Sequence, residues 1–333
     1  MKRTLGVVVC TMLAAALFAK DAPMPEWVMN HRSVYPDGEF LAQRGSGKSA
    51  EAAQTDAMSQ LARYFQTNVS ANLSTTMQSI ASGTSVNEQT TVVDDVRVTS
   101  EVSLFALEHT EPYYYKKEKK WHCVAYIKRT SAWEHYRPQI ELVKNTFLGH
   151  YDSAAAERDP FMRIARCKTA WDASGALLEK LEYGRIISPK DEATYREERN
   201  KVARLPVMME AAKKECTMFV NVPGDHNRVL TQAVSTALAK CGFTVAKTTA
   251  GAIYTASVEI DDGANGSNPL SIMPSVSLKI TGRGGNAVYS YETAATEKSV
   301  AYTLENAKNK AYPALAKEVE DSLQKDLGAT FGL

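Results

Sequence analysis

The chain has 333 residues, with 39 Lys and Arg against 38 Asp and Glu and a formal charge of +1, and 44% of it is hydrophobic. That length supports two or three separate cores. The balanced charge, with no sustained basic face, argues against nucleic acid as the main partner, and it predicts neither a membrane surface nor an acidic substrate.

Lys2 and Arg3 precede an apolar run at 5–18, and Ala19 stands before Lys20 and Asp21. This is the three-part form of a secretory signal, so residues 1–19 are expected to be a cleaved leader. The run is too short to span a bilayer comfortably. Cys10, behind Val7-Val8-Val9, is an alternative site for lipidation, and the sequence leaves that open. No later segment is long and apolar enough to cross a membrane, so the expected location is the periplasm, in solution or at the outer membrane.

Residues 25–137 read as a small α/β module. A short strand at 40–44 leads into Gly45-Ser46-Gly47-Lys48-Ser49, which matches a relaxed phosphate-loop pattern with Lys48 and Ser49 in the phosphate and magnesium positions. Nucleoside triphosphate is scarce outside the cytoplasm, and no strand ending in a magnesium-binding aspartate follows. Gly45 and Gly47 are therefore read as allowing a tight strand-to-helix turn and close packing. Ser49 caps a helix with Glu51 in its first turn, and Ala50, Ala53, Ala57, Leu61 and Tyr64 form its stripe. Val69, Ala71 and Leu73 alternate with polar residues and predict a strand. A polar stretch at 79–95 follows, containing Asp94-Asp95, and then strands at 96–107 and 121–127. Between these strands lie Tyr113, Tyr114 and Tyr115 and the run Lys116-Lys117-Glu118-Lys119-Lys120, read as a solvated hairpin tip. Tyr113, Tyr114, Tyr115 and Trp121 are the candidate interaction surface.

Residues 138–215 change to long helices. Asp159-Pro160 opens one whose buried stripe is Phe161, Ile164, Cys167, Trp171, Leu178 and Leu181, with Gly184 closing it, and Ser188-Pro189 starts the next. The short connection makes them an antiparallel hairpin, expected to be a spacer between modules.

Residues 216–333 predict a second α/β domain: a strand through Met218, Val220 and Val222, a helix capped by Asn227 and ended by Gly242, strands at 243–247, 254–260, 276–281 and 287–291, and a closing helix through Ala307, Ala311, Leu315, Val319 and Leu323. The turn at 282–286 makes the last two strands a hairpin. The expected fold class is α+β, two small α/β modules with largely antiparallel sheets joined by the helical hairpin, the second sheet mixed or antiparallel and covered on one face.

No motif commits the chain to catalysis. Cys123, Cys167, Cys216 and Cys241 lack zinc or redox spacing, and either buried thiols or a Cys216–Cys241 disulfide fits their positions. Asp261-Asp262-Gly263-Ala264-Asn265-Gly266-Ser267-Asn268 has a calcium-loop composition but no chelating residue at position three and no glutamate at position twelve, where Gly263 and Ile272 stand. The histidines at 31, 109, 122, 135, 150 and 226 form no H-E-x-x-H pair, and His122 is read as solvent-facing. No cofactor and no metal are expected.

Pro25-Glu26-Trp27, Tyr35-Pro36, the Gly45-Ser46-Gly47 turn and the alanine-repeating helix from Ala50 to Leu61 resemble the LPP-twenty lipoprotein family of bacterial envelopes over about a third of the chain. The same module is similar to the N-terminal domain of the flagellar assembly protein T. In that protein a second domain follows that resembles the N-terminal domains of TolB and CsgG, and residues 216–327 have a comparable element order. The resemblance implies a non-enzymatic envelope protein whose partners are envelope or flagellar-motor proteins, and it supplies no active site. The helical hairpin departs from that pattern, as does the expected absence of a lipidated cysteine. A scaffold or assembly factor is thus the leading expectation. The alternative is a module binding cell-wall glycan (peptidoglycan), peptide or lipid, and an enzyme would rest on 42–49 alone.

Overall fold

The computed structural model describes residues 23–83, 107–266 and 269–332. The expected signal segment, Cys10, Asp94-Asp95 and all but Leu107 of the strand expected at 96–107 lie outside them. The chain divides into two compact units, one from Met1–Ser74, Val98–Glu141 and Glu179–Thr194, the other from Thr75–Arg97, Leu142–Leu178 and Tyr195–Leu333.

In the first unit, the short helices α1 (Glu26–Met29) and α2 (His31–Val34) precede strand β1 (Phe40–Gly47) and the long helix α3 (Ala50–Gly83), whose residues from Thr75 on are counted with the second unit. Then come β2 (Leu107–His109), β3 (Tyr113–Tyr115) and β4 (Lys120–Lys128), and β4 is the antiparallel centre that pairs with β1, β2 and β3. Ser49 Oγ accepts the Ala52 amide at 3.1 Å and caps α3 as the sequence predicts. The strand expected at Val69, Ala71 and Leu73 is instead the continuation of α3. Ala53, Ala57, Leu61, Phe65, Val69, Leu73 and Met77 are all buried, one every fourth residue, while Ala71 is exposed. A period of two and a period of four share Val69 and Leu73, and Phe65 and Met77 extend only the second.

Gly45 and Gly47 do not make a turn. They lie inside β1, opposite Cys123 and Trp121 of β4, and α3 crosses directly over them. A Cβ on Gly45 would sit 2.6 Å from the Ala53 carbonyl oxygen, and one on Gly47 would sit 2.6 Å from the Ala53 nitrogen. The glycines therefore serve close packing, the other half of the expectation. The opposite face of the sheet carries Val124, Ala42 and Tyr126 against Trp27 and Val28, and the Arg44 guanidinium donates to the Val28 carbonyl at 2.7 Å.

Helix α4 (Arg129–Ala156) and helix α5 (Pro160–Ile187) follow, then the single turn α6 (Pro189–Glu192) and α7 (Arg196–Glu215). α5 runs past Gly184, which faces Ile140 and Trp133, and it ends at Ile187. The grouping of these helices differs from the expected spacer at 138–215, because their residues belong to the two cores. Tyr183 stacks on Phe65, and Arg129 donates to the carbonyls of Ile186 and Ile187 in the first unit. Phe161, 1% exposed, packs on Phe243, Tyr254 and Phe331 in the second.

The second unit continues with β5 (Thr217–Asn221), α8 (Val229–Lys240), β6 (Thr244–Val245), β7 (Tyr254–Asp261), β8 (Leu270–Ile272), β9 (Ser275–Gly282), β10 (Ala287–Ala294), β11 (Ser299–Ala301) and α9 (Leu304–Phe331). Five strands form a mixed sheet in the order β10-β9-β7-β5-β6, with β5 parallel to both β6 and β7 and the rest antiparallel. The small β8–β11 pair leaves no mark in the sequence, because strands of three residues show no period. The α8 cap is Asp225 rather than Asn227: its carboxylate accepts the Leu230 and Thr231 amides at 3.2 and 2.8 Å, while Asn227 takes a left-handed φ of 57°. Met218, Val220, Tyr254, Ala256, Val258, Val276, Leu278 and Ile280 alternate inward beneath α8 and α9. Burying each larger side chain contributes about 1.5–3 kcal/mol. The architecture is α+β.

Candidate interaction surface

The candidate aromatics divide between two faces. β3 pairs with β4 so that Tyr114 stands opposite Trp121 and Tyr113 opposite His122. Strand alternation then sends Tyr114 and Trp121 to one side of the sheet and Tyr113 and Tyr115 to the other. Tyr114 is 41% exposed, and its ring centroid is 5.5 Å from that of Trp121. Tyr113 and Tyr115 are half-buried against Trp27, Val28 and Val124. The four residues are thus split between the two faces, Tyr114 exposed beside a half-buried Trp121 on one and Tyr113 and Tyr115 packed on the other, and the hairpin tip is confined to residues 116–119.

His122 corrects an expectation. It is buried, 2% exposed, on the Trp27 side of the sheet, with Nε2 3.1 Å from the Glu118 carboxylate. Burial, aided by the charges of Arg44 and Lys120, outweighs Glu118 and holds the imidazole below its ordinary range. Every second residue of β4 through Val124 and Tyr126 shares that face, and the segment around Trp27 that covers it gave no periodic signal.

The glycines of the phosphate-loop pattern are committed elsewhere. Gly45 and Gly47 sit in the ladder under α3, and the Ser46 amide donates to the Asp56 carboxylate at 2.9 Å, taking the place a phosphate oxygen would need. In the calcium-like loop, Asp262 accepts from Tyr312 at 2.8 Å and pairs with Lys308 at 2.7 Å, Asp261 accepts the Gly263 amide at 3.0 Å, and residues 267 and 268 lie outside the described residues. Among the described residues there is no group of three or more His, Cys, Asp or Glu that could hold a metal ion, and no helix is long and apolar enough to cross a membrane.

Cys123, Cys167, Cys216 and Cys241 are buried thiols, so the Cys216–Cys241 bridge is not formed. Burial pushes the Cys167 thiol up to about 11 and that of Cys216 up to about 12, which keeps both protonated and poorly nucleophilic.

The second unit offers a different surface. Ser257, Glu259, Ser277, Lys279, Ser290 and Glu292 form the face of its sheet that is left uncovered among the described residues. β10 is the sheet's outer strand, and among the described residues its far edge has no strand partner. Tyr289 and Tyr291 fasten it to α9 through Asp326 and Ser322. A shallow cleft of about 420 Å³ lies beside β11, between Tyr302 and Asn306, Asn309 and Lys310 of α9.

No protein-family model matches the chain, so none supports the LPP-twenty resemblance, and no curated protein matches it. Solved structures do. The secreted protein HP1454 from the human pathogen Helicobacter pylori superposes with a TM-score of 0.36 and 14% identity, over 87% of this chain and 96% of that one. A candidate lipoprotein from Caulobacter crescentus gives 0.26 and 16%, over 34% of this chain and 88% of its own. A minor lipoprotein from Acinetobacter baumannii gives 0.26 and 16%, over 33% of this chain and 92% of its own.

Proposed function

We propose that this chain is a non-enzymatic scaffold or assembly factor of the bacterial envelope, acting through sheet edges and faces, in flagellar or outer-membrane machinery. The observation that carries this reading is β10, an eight-residue strand on the rim of the second sheet whose outer backbone groups have no partner strand among the described residues. Such an edge offers a template for an added strand. Three sequence features agree with it: the leader expected at 1–19, the LPP-twenty-like residues of the first module and the lack of a catalytic motif. The test is photo-crosslinking in intact cells from probes at Ser290 and Glu292, read by mass spectrometry. Recovery of envelope proteins on these probes supports the reading, and crosslinks that avoid β10 altogether overturn it.

A second reading, a module for cell-wall glycan, is favoured by the exposed Tyr114 ring beside the half-buried Trp121, since sugar rings stack on such aromatic faces. Pull-down on purified peptidoglycan separates the two. Retention that is lost in Tyr114→Ala favours glycan, and retention of neither protein favours the scaffold.

A further inference from the structure

We propose that the β10 edge takes a second copy of this chain, forming a two-fold dimer whose sheets join into one. This deepens, and rests on, the reading of β10 as an assembly edge.

Natural edges are blunted by proline, charged side chains, bulges or covering elements. β10 has an irregularity only near its start, between Ala287 and Tyr289, and its remaining residues, 289–294, carry no proline and a single charge, Glu292. The edge of the first unit's sheet is treated otherwise, for Asp56 takes the Ser46 amide and the Arg44 side chain reaches to Val28. A formal charge of +1 also gives two copies little net repulsion.

The side chains select both the partner and the register. Residues facing each other across an antiparallel ladder point to the same side of the sheet, so two β10 strands can pair about a two-fold axis only with matched parity. With the axis at Tyr291, Tyr291 meets its own copy, Tyr289 meets Thr293, and Ser290 meets Glu292. Lys279 lies directly beside Ser290 on β9, on the same uncovered face. The row across the junction therefore reads Lys279, Ser290, then Glu292 of the second copy. Strands about 4.8 Å apart place that lysine and glutamate about 10 Å apart at the backbone, with only a serine between, within reach of two long side chains. The two-fold repeats the ion pair. On the α9 side, Tyr291 against Tyr291 and Tyr289 against Thr293 are aromatic and aromatic–β-branched pairs, both favourable across strands. An axis at Ser290 would instead set Glu292 against Val288, at the irregular start of the strand, and leave Lys279 unmatched.

Light scattering on the purified mature chain tests this, with a dimer expected at protein concentrations up to about 100 µM. Lys279→Glu and Glu292→Lys should each weaken the dimer about tenfold or more by facing like charges, and the double exchange should return it to within about threefold of the wild type. Tyr291→Cys should give a disulfide-linked dimer on mild oxidation, because its two copies meet on the axis while the native thiols are buried. A monomer throughout, or a dimer that neither single change weakens, overturns the proposal. If the chain is monomeric yet probes at Ser290 capture another envelope protein in cells, the dimer is wrong and the assembly reading stands. If the dimer forms and no other protein is captured, the self-pairing stands and the wider assembly reading falls.

Discussion

In the first unit a four-stranded sheet lies between α3 on one face and the Trp27 segment on the other, so its strands have no bare side along most of their length. The five-stranded sheet of the second unit carries α8 and α9 on one face and leaves the other to Ser257, Lys279, Ser290 and Glu292. Burial on both faces demands small residues and exact fit, whereas burial on one face demands only alternation. The first sheet is therefore the place where substitution should damage the fold, and the second the place where substitution should change association.

The sharpest way to break that contrast is to add bulk to each sheet. Gly45→Val places methyl groups where α3 already lies within 2.6 Å of the added Cβ, and neither backbone can yield without parting helix from strand. The loss should be about 3 kcal/mol or more, enough to unfold the first unit in a thermal melt followed by circular dichroism. Gly282→Ala in β9 is the counterpart, since the nearest atom, on the Tyr254 ring, is 3.7 Å from the added Cβ. It should shift stability by less than about 1 kcal/mol. Equal effects at the two glycines would erase the distinction between the sheets.

A smaller effect separates two residues of the second unit that the sequence ranks in the wrong order. Asp225→Ala removes the carboxylate that accepts two α8 amides and the Thr231 hydroxyl, and should cost about 1–2 kcal/mol. Asn227→Ala removes no cap, while Asn227→Gly relieves its left-handed backbone and should be neutral or stabilising in urea titrations. A larger loss at Asn227→Gly than at Asp225→Ala would restore the cap to Asn227.

The second unit was legible because its sequence repeats what its structure uses. Leu230, Ala233, Val234, Ala237 and Leu238 mark one helix face, and the alternation through Tyr254, Ala256 and Val258 marks one sheet face. The first unit was less so because its main helix is buried at every fourth residue, and Ser70, Asn72 and Ser74 between its apolar positions imitate a strand. The four candidate aromatics read alike in the sequence, and Tyr114 and Trp121 were not separable from Tyr113 and Tyr115 until the β3–β4 register was known. Edge strands are expected in both sheets, but that β10 is the one at the rim is not legible, since it depends on pairing order, which periodicity does not encode.

The smallest expected effect is a pH dependence that belongs to the doubly covered sheet. His122 sits 2% exposed beneath the Trp27 segment, with Glu118 at 3.1 Å, Arg44 and Lys120 as its charged neighbours and the Tyr115 ring 6.1 Å away. Burial places its folded-state value below the ordinary 6.5 of an unfolded chain. The unfolded chain then takes up the proton first, so the stability that rests on a neutral His122 is whole above that ordinary value and is lost as pH falls through it toward the lower folded value. Thermal melts at about pH 8 and about pH 5 should therefore show a larger fall in the wild type than in His122→Phe, whose ring keeps the packing against Tyr115 and takes no proton. Matching falls in the two proteins would mean that the imidazole is free to charge where it lies, and that the Trp27 face of this sheet is as open to water as the bare face of the other.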